Sequence, residues 1–287
     1  MPGGIIRIMK KLSVFLSLVL LAGACAAPGQ VDTNTPHSQA NYPPVLEDSP
    51  ARQTAVRNAW KQFLTEKGLP ESSLELTPIT DTPRALPAEL AGRINVNAKQ
   101  GKLGETELKE ALRQFVESSR LLLSGPNGDE KTAALGLKDL SLVSFTNDGS
   151  FYRAVYRQVN YPFPIAEGYG ELRFAVGKNG ELLQMSSTLL PNVTLPARAE
   201  VKPQELRDKM VGREFTYTTI AGRPQSYRAT NADDIKVGEL VIYPKITGNR
   251  MEIHLAFPVT AGQGMTWTVY FDAINGGELG AKQNFAT

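Results

Sequence analysis

The chain has 287 residues, with 31 Lys and Arg against 29 Asp and Glu, two His, one Cys and 41% hydrophobic residues. That apolar share is enough for a core and excludes a wholly disordered chain. The near-balance of charge removes the electrostatic case for nucleic-acid binding, and a lone cysteine excludes an intramolecular disulfide.

The start reads as a signal peptide. A basic stretch ends in Lys10-Lys11, residues 12–21 are apolar apart from Ser13 and Ser17, and Ala22-Gly23-Ala24 precede Cys25. The apolar run is too short to span a bilayer comfortably. Residues 21–25, Leu-Ala-Gly-Ala-Cys, resemble the bacterial lipobox, with Ala22 where Leu is commoner. The resemblance implies cleavage before Cys25, lipid on its thiol and a folded part held outside the cytoplasm. Ala26 at the next position goes with outer-membrane sorting if the cell is Gram-negative. Removing Arg7, Lys10 and Lys11 with the leader leaves 28 basic residues against 29 acidic ones, so no polybasic membrane patch is expected.

Residues 25–50 are rich in Pro, Asn, Thr, Ala and Gln and read as a flexible tether. Residues 51–105 hold a lead-in helix and strands. Ser49 and Pro50 open the helix, Ala55, Val56, Ala59, Trp60, Phe63 and Leu64 repeat at helical spacing, and Gly68 stops it. A second helix is capped by Thr106 and carries an apolar stripe from Leu108 through Leu123. From Asp139 the period becomes two. Strands are expected at 139–146, 151–160, 169–177 and 181–189, with Asp148-Gly149 and Asn179-Gly180 as tight turns. The pattern then recurs: a helix near 203–211, and strands at 239–245, 250–258, 265–272 and 278–285. Helix followed by antiparallel meander, twice over, is α+β architecture.

The residues that could carry chemistry are few. His37 falls in the tether, and His254 alternates with Glu252 and Ala256 on the face of its strand read as solvent-facing. The chain has no HExxH, GxSxG, GxxxxGK[ST] or GxGxxG motif. Glu167 with Glu171, and Asp233-Asp234, are acid pairs, read as solvated surface acids over a glycosidase-like site. Arg153 and Arg157 are read as cross-strand partners of the first pair. Tyr152, Tyr156, Tyr161 and Tyr169 cluster around one hairpin; a half-buried strand face is preferred there to a peptide-contacting surface.

Residues 151–165 look like the signature hairpin of the fungalysin/thermolysin propeptide family. Tyr156 and Gln158 fill its aromatic-x-Gln strand, and Pro164 and Ile165 fill its Pro-Val. Pro162-Phe163 depart from the Gly usual in that turn. Thr82-Pro83-Arg84 and Glu89-Leu90 are similar to the family's lead-in. Downstream, residues 239–244, 250–259, 267–273 with Trp267, and 277–279 resemble a PepSY domain. Together the two resemblances cover about residues 74–285. They imply two successive cystatin-like units, at 106–195 and 196–287, and a role as folding aid and inhibitor of a zinc peptidase. The sequence ends at Thr287 without a peptidase, so a stand-alone pair is expected.

The function expected is a non-catalytic envelope lipoprotein, needing no cofactor or metal, that binds a protein partner. That partner would be a thermolysin-like peptidase. A sensing or scaffolding module unrelated to peptidases is the alternative.

Overall fold

In the computed structural model, which describes residues 41–97, 101–125, 135–218, 222–262 and 266–284, helix α1 (Pro50–Glu66) forms where its signals place it. The Ser49 hydroxyl accepts the Arg52 amide at 3.3 Å, and Pro50 occupies the first turn, where no amide proton is needed. Val56, Trp60 and Leu64 form the buried stripe. Gly68, at φ 63°, takes the left-handed turn that lets the Leu69 amide reach back to the Leu64 carbonyl. Helix α2 (Glu105–Ser118) begins one residue before Thr106, which therefore lies in its first turn and is not its cap. The Glu107 carboxylate instead accepts the Gly104 amide at 2.8 Å. The stripe breaks at Ser119, and Leu122 and Leu123 ride on a separate short helix, α3 (Arg120–Ser124).

These helices cover one face of a five-stranded antiparallel sheet. Its strands are β2 (Ile94–Asn95), β3 (Leu140–Asn147), β4 (Phe151–Gln158), β5 (Glu171–Gly177) and β6 (Glu181–Ser187), in the order β2-β6-β5-β4-β3. The expected hairpins are present, with Gly149 at φ 83° and Gly180 at φ 90°. Ala154, Tyr156, Leu172, Phe174 and Val176 point at the helices and share a core with Trp60, Leu112 and Phe115.

The second half opens with α4 (Pro203–Met210), then a ribbon of β7 (Glu214–Thr218) and β8 (Pro224–Arg228), then β9 (Ile235–Val237). Strands β10 (Val241–Thr247), β11 (Arg250–Ala261), β12 (Thr266–Asp272) and β13 (Glu278–Asn284) follow. Strand β11 is the spine. Ala256 pairs with both Val241 and Asp272, and Val259 with both Val237 and Val269, so β10 and β9 lie on one side of it and β12 on the other. The fold is α+β. The second half departs from a plain helix-plus-meander, because the ribbon and β9 intervene and a strand from far upstream completes its sheet.

That strand is β1 (Val45–Glu47), which pairs with Glu252, Met251 and Arg250 on the β12 side of β11. Residues 41–50, assigned by composition to the tether, are thus part of the folded unit. The two halves interlock further. Ile79, Tyr161, Ile165 and Leu190 of the first half enter the second core. All described residues fall in one compact unit, Gln39–Thr287. Among them, no helix is long and apolar enough to cross a membrane.

Candidate functional site

Of the residues that carry the propeptide resemblance, Pro164 and Ile165 join the two halves, and Gln158 fixes the segment of the first half that enters the second core. Gln158 is buried at the end of β4, where its amide nitrogen donates to the Leu190 carbonyl at 2.8 Å and its amide oxygen accepts the Leu190 N–H at 2.9 Å. The segment leaving β6 is thereby held as if by one more strand. Replacing Gln158 with leucine leaves two buried backbone groups without partners. A loss of about 2–3 kcal/mol is expected, measurable by urea unfolding. Pro164 and Ile165 form the crossing to the second sheet. The Pro164 carbonyl accepts the Ile242 amide at 2.8 Å, the Ala166 amide donates to the Ile242 carbonyl at 2.8 Å, and Ile165 makes a parallel bridge to Ile242.

Tyr156 and Trp267 point inward. Tyr156 packs edge-on against Phe174, and burial pushes its hydroxyl up to about 12. Trp267 is roofed by the ribbon, with Phe215, Tyr217 and Tyr227 at ring-centroid distances of 5.2, 5.3 and 5.5 Å. The tyrosines of the hairpin do not form a common surface. Tyr161 is buried and donates to the Pro191 carbonyl, Tyr152 stacks on Phe145, and Tyr169 is half-buried.

His254 is not on the solvent side. It is 5% exposed, with Nδ1 2.7 Å from Asp272 Oδ2 and Nε2 3.3 Å from Glu252 Oε2. Its strand face is the polar one, as the alternation implied. The Tyr42 segment covers it, with the tyrosine ring edge-on to the imidazole at 5.9 Å. The Tyr42 hydroxyl donates to Asp272 at 3.1 Å and accepts the Leu255 amide at 3.1 Å. Burial, with the Asp272 charge beside it, pushes this hydroxyl far up, so it stays a proton donor. Asp272 also accepts the Ile274 and Asn275 amides, at 2.7 and 3.2 Å. Burial pushes its carboxyl up, but the hydrogen bonds from His254 and these amides prevail and hold it below the usual range. The cluster thus fastens the N-terminal segment to the C-terminal sheet. Among the described residues no group of three or more His, Cys, Asp or Glu is placed to hold a metal. Cys25 and His37 lie outside the described residues.

Glu167 and Glu171 separate. Glu167 is exposed and bonds Lys282 at 2.6 Å, while Glu171 is nearly buried between Arg157 and Arg173. Asp233 and Asp234 end a single helical turn capped by Asn231. Arg157 does face Glu171 across the β4–β5 ladder, but Arg153 pairs with Asp148 in the adjoining turn.

The sheet face of the first half turned away from the helices carries a groove. The alternation that sends Ala154, Tyr156 and Phe174 inward sends Arg153, Val155, Arg157, Arg173 and Ala175 outward. Residues 83–86 run along β6, through Ser187 N–H to the Pro83 carbonyl and Leu86 N–H to the Met185 carbonyl, and bring Arg84 to the same groove. Strand β3 ends the sheet. No strand pairs with its outer side among the described residues, and Val143 stands 47% exposed at a bulge on it.

No family model matches this sequence, and no curated protein matches it. Among solved structures it is similar to the Bacillus megaterium YpeB C-terminal domain, at 10% identity. The match covers 84% of this chain and 100% of that one, with a TM-score of 0.33. A likeness that distant carries no argument about fold or function.

Proposed function

We propose that the folded unit is a non-catalytic, propeptide-like binding module, two cystatin-like units fused through the Ile165 contact to Ile242. It is presented at the cell envelope on a lipid at Cys25, and its partner is an extracytoplasmic peptidase of the thermolysin kind, which it restrains or helps to fold. The observation that carries this reading is β3. An eight-residue edge strand with an open outer side is a template for an added strand from another chain. A groove between α2 and β3, lined by Leu137, Leu140, Leu142 and Tyr156, offers apolar contacts beside that edge.

Binding by a free module lacks the high effective concentration that covalent attachment gives a propeptide, and it bears the full association entropy. Weak inhibition is therefore expected when the protein is titrated against a thermolysin-like peptidase from the same organism. Amide hydrogen exchange over residues 140–147 should slow in the complex. Binding without that protection would move the interface away from β3. Failure to bind any envelope peptidase would favour the sensing or scaffolding module. Lipidation is tested separately with an alkyne fatty-acid probe: the wild type should label and the Cys25→Ser variant should not.

A further inference from the structure

We propose that the groove on the open face of the five-stranded sheet, bounded by Arg84, Arg153 and Arg173, receives the carboxylates of an acidic, extended segment of the partner protein. This rests on the reading of the unit as a protein-binding module and adds the chemistry of what is bound. The groove encloses about 480 Å³, and no acidic side chain lines it. Its floor is Val155 and Ala175, with neutral Gln184 and Ser186 beside them.

The three guanidinium groups have side chains 63%, 61% and 62% exposed. Each has a carboxylate partner outside the lining: Glu75, Asp148 and Glu171 respectively. The Arg84–Glu75 and Arg153–Asp148 pairs are exposed on both sides and worth about 0–1 kcal/mol, so those two guanidinium groups can turn to a new carboxylate at little cost, while Arg173 can add one because Arg157 also holds the nearly buried Glu171. Glu171 already serves two guanidinium groups, because Arg157 shares it with Arg173, at 3.3 Å. Arg84, Arg153, Arg157 and Arg173 thus share the three carboxylates of Glu75, Asp148 and Glu171, one positive charge in excess. That surplus of positive charge stands out on a chain that is otherwise near neutral, and it calls for an acidic partner.

The spacing suits an extended peptide. In the β4–β5 register Arg153 lies opposite Ala175, and Val155 opposite Arg173. Arg153 and Arg173 are thus diagonal neighbours, about 7–8 Å apart. Alternate residues of an extended chain are about 7 Å apart and point the same way. A segment reading acid-x-acid would set one carboxylate against each guanidinium, each able to take the two-pronged geometry that a planar fork favours. The methylene stems would lie over Val155 and Ala175.

The test uses the full chain and a fluorescein-labelled decapeptide of alternating Glu and Val, read by anisotropy. Binding is expected, weakening as salt is raised, and falling about tenfold or more in the Arg84→Gln/Arg153→Gln/Arg173→Gln variant. An Arg120→Gln variant, on α3 away from the groove, should bind as wild type, and thermal melts should show all variants folded. The alternating Gln-Val peptide should not bind. Equal binding by the triple variant, equal binding of the Gln peptide, or full displacement by inorganic phosphate or a sulfated oligosaccharide at matched charge would overturn the proposal. A peptidase captured equally by wild type and triple variant would sink the acidic-segment inference and leave the module reading intact. Peptide binding that depends on the three arginines, without any peptidase bound, would do the reverse.

Discussion

Replacing Asp272 with alanine is expected to cost about 3–5 kcal/mol, the range for removing a buried carboxylate to which several donors are committed. The carboxylate is 1% exposed and collects four donors: His254, the Tyr42 hydroxyl, and the Ile274 and Asn275 amides. Without it His254 loses the partner of Nδ1, and the turn after β12 loses its acceptor. The melting temperature should fall on the order of 10 °C. Asp272→Asn keeps the shape and one acceptor, so it should lose less. The pH dependence has a definite sign. The folded-state carboxyl sits below its ordinary range, so its contribution is present above about pH 4 and is lost as the pH falls through the folded-state value. Acid unfolding of the wild type should show this loss, and Asp272→Asn should show less of it. An alanine variant melting within a degree or two of wild type would refute the account.

The second large effect is expected at Arg52, on the first turns of α1. Its Nε meets the Asp81 carboxylate at 3.0 Å, and one Nη donates to the Glu47 and Ile79 carbonyls at 2.6 and 2.7 Å. Asp81 is 1% exposed, and both it and Ile79 have positive φ, 55° and 70°. Such backbone costs on the order of 1–3 kcal/mol per residue and persists only where surrounding contacts impose it. Here the contacts are Arg52 and the Asp48 carboxylate, which accepts the Ile79 amide at 3.0 Å. Arg52→Met should therefore lose about 3–5 kcal/mol and loosen Ile79 from the second core. Burial pushes the Asp81 carboxyl up by more than Arg52 pulls it down. A raised folded-state value means that its contribution is present below the unfolded value of about 3.9 and is lost as the pH rises through the folded one. Removing Arg52 raises it further, so the variant should be hurt more at pH 7 than at pH 4.5. Urea unfolding at the two pH values measures this. Equal losses at both would show that the pair does not act through charge, and adding Asp81→Asn should restore part of the loss at pH 7.

Much of the fold could be read locally. The Ser49-Pro50 start, the two Gly turns and the alternating strands specify themselves through neighbours in sequence, and α1, α4 and eight strands lie where those signals put them. What was not legible depends on distant partners. β1 and β2 are three and two residues long and gain strand form only by pairing with β11 and β6. The ribbon sits in a polar stretch, and what fixes it is its packing on Trp267. The alternation put His254 on the polar face correctly; that this face is closed there depends on a tyrosine 212 positions upstream. The alternation marks Arg153 and Arg157 as ladder partners, but the groove also needs Arg173 and Arg84, and Arg84 reaches it only because residues 83–86 run along β6.

The docking of Tyr42 on Leu255 spans 213 residues and has a consequence for how the chain must assemble. Contacts that close so long a loop form late, because the entropy of closure is lost before the contact returns anything. Helices α1 to α3 and the five-stranded sheet use partners no more distant than about residue 190, and can be complete before the C-terminal half is in place. The segment from Tyr42 to Glu47 cannot be placed until β11 and β12 exist. During that interval it is a short apolar strand without a mate, and β11 is a spine with part of one side bare. Made early and placed last, this segment is the piece whose delay decides whether the sheet closes on its own chain or on another's.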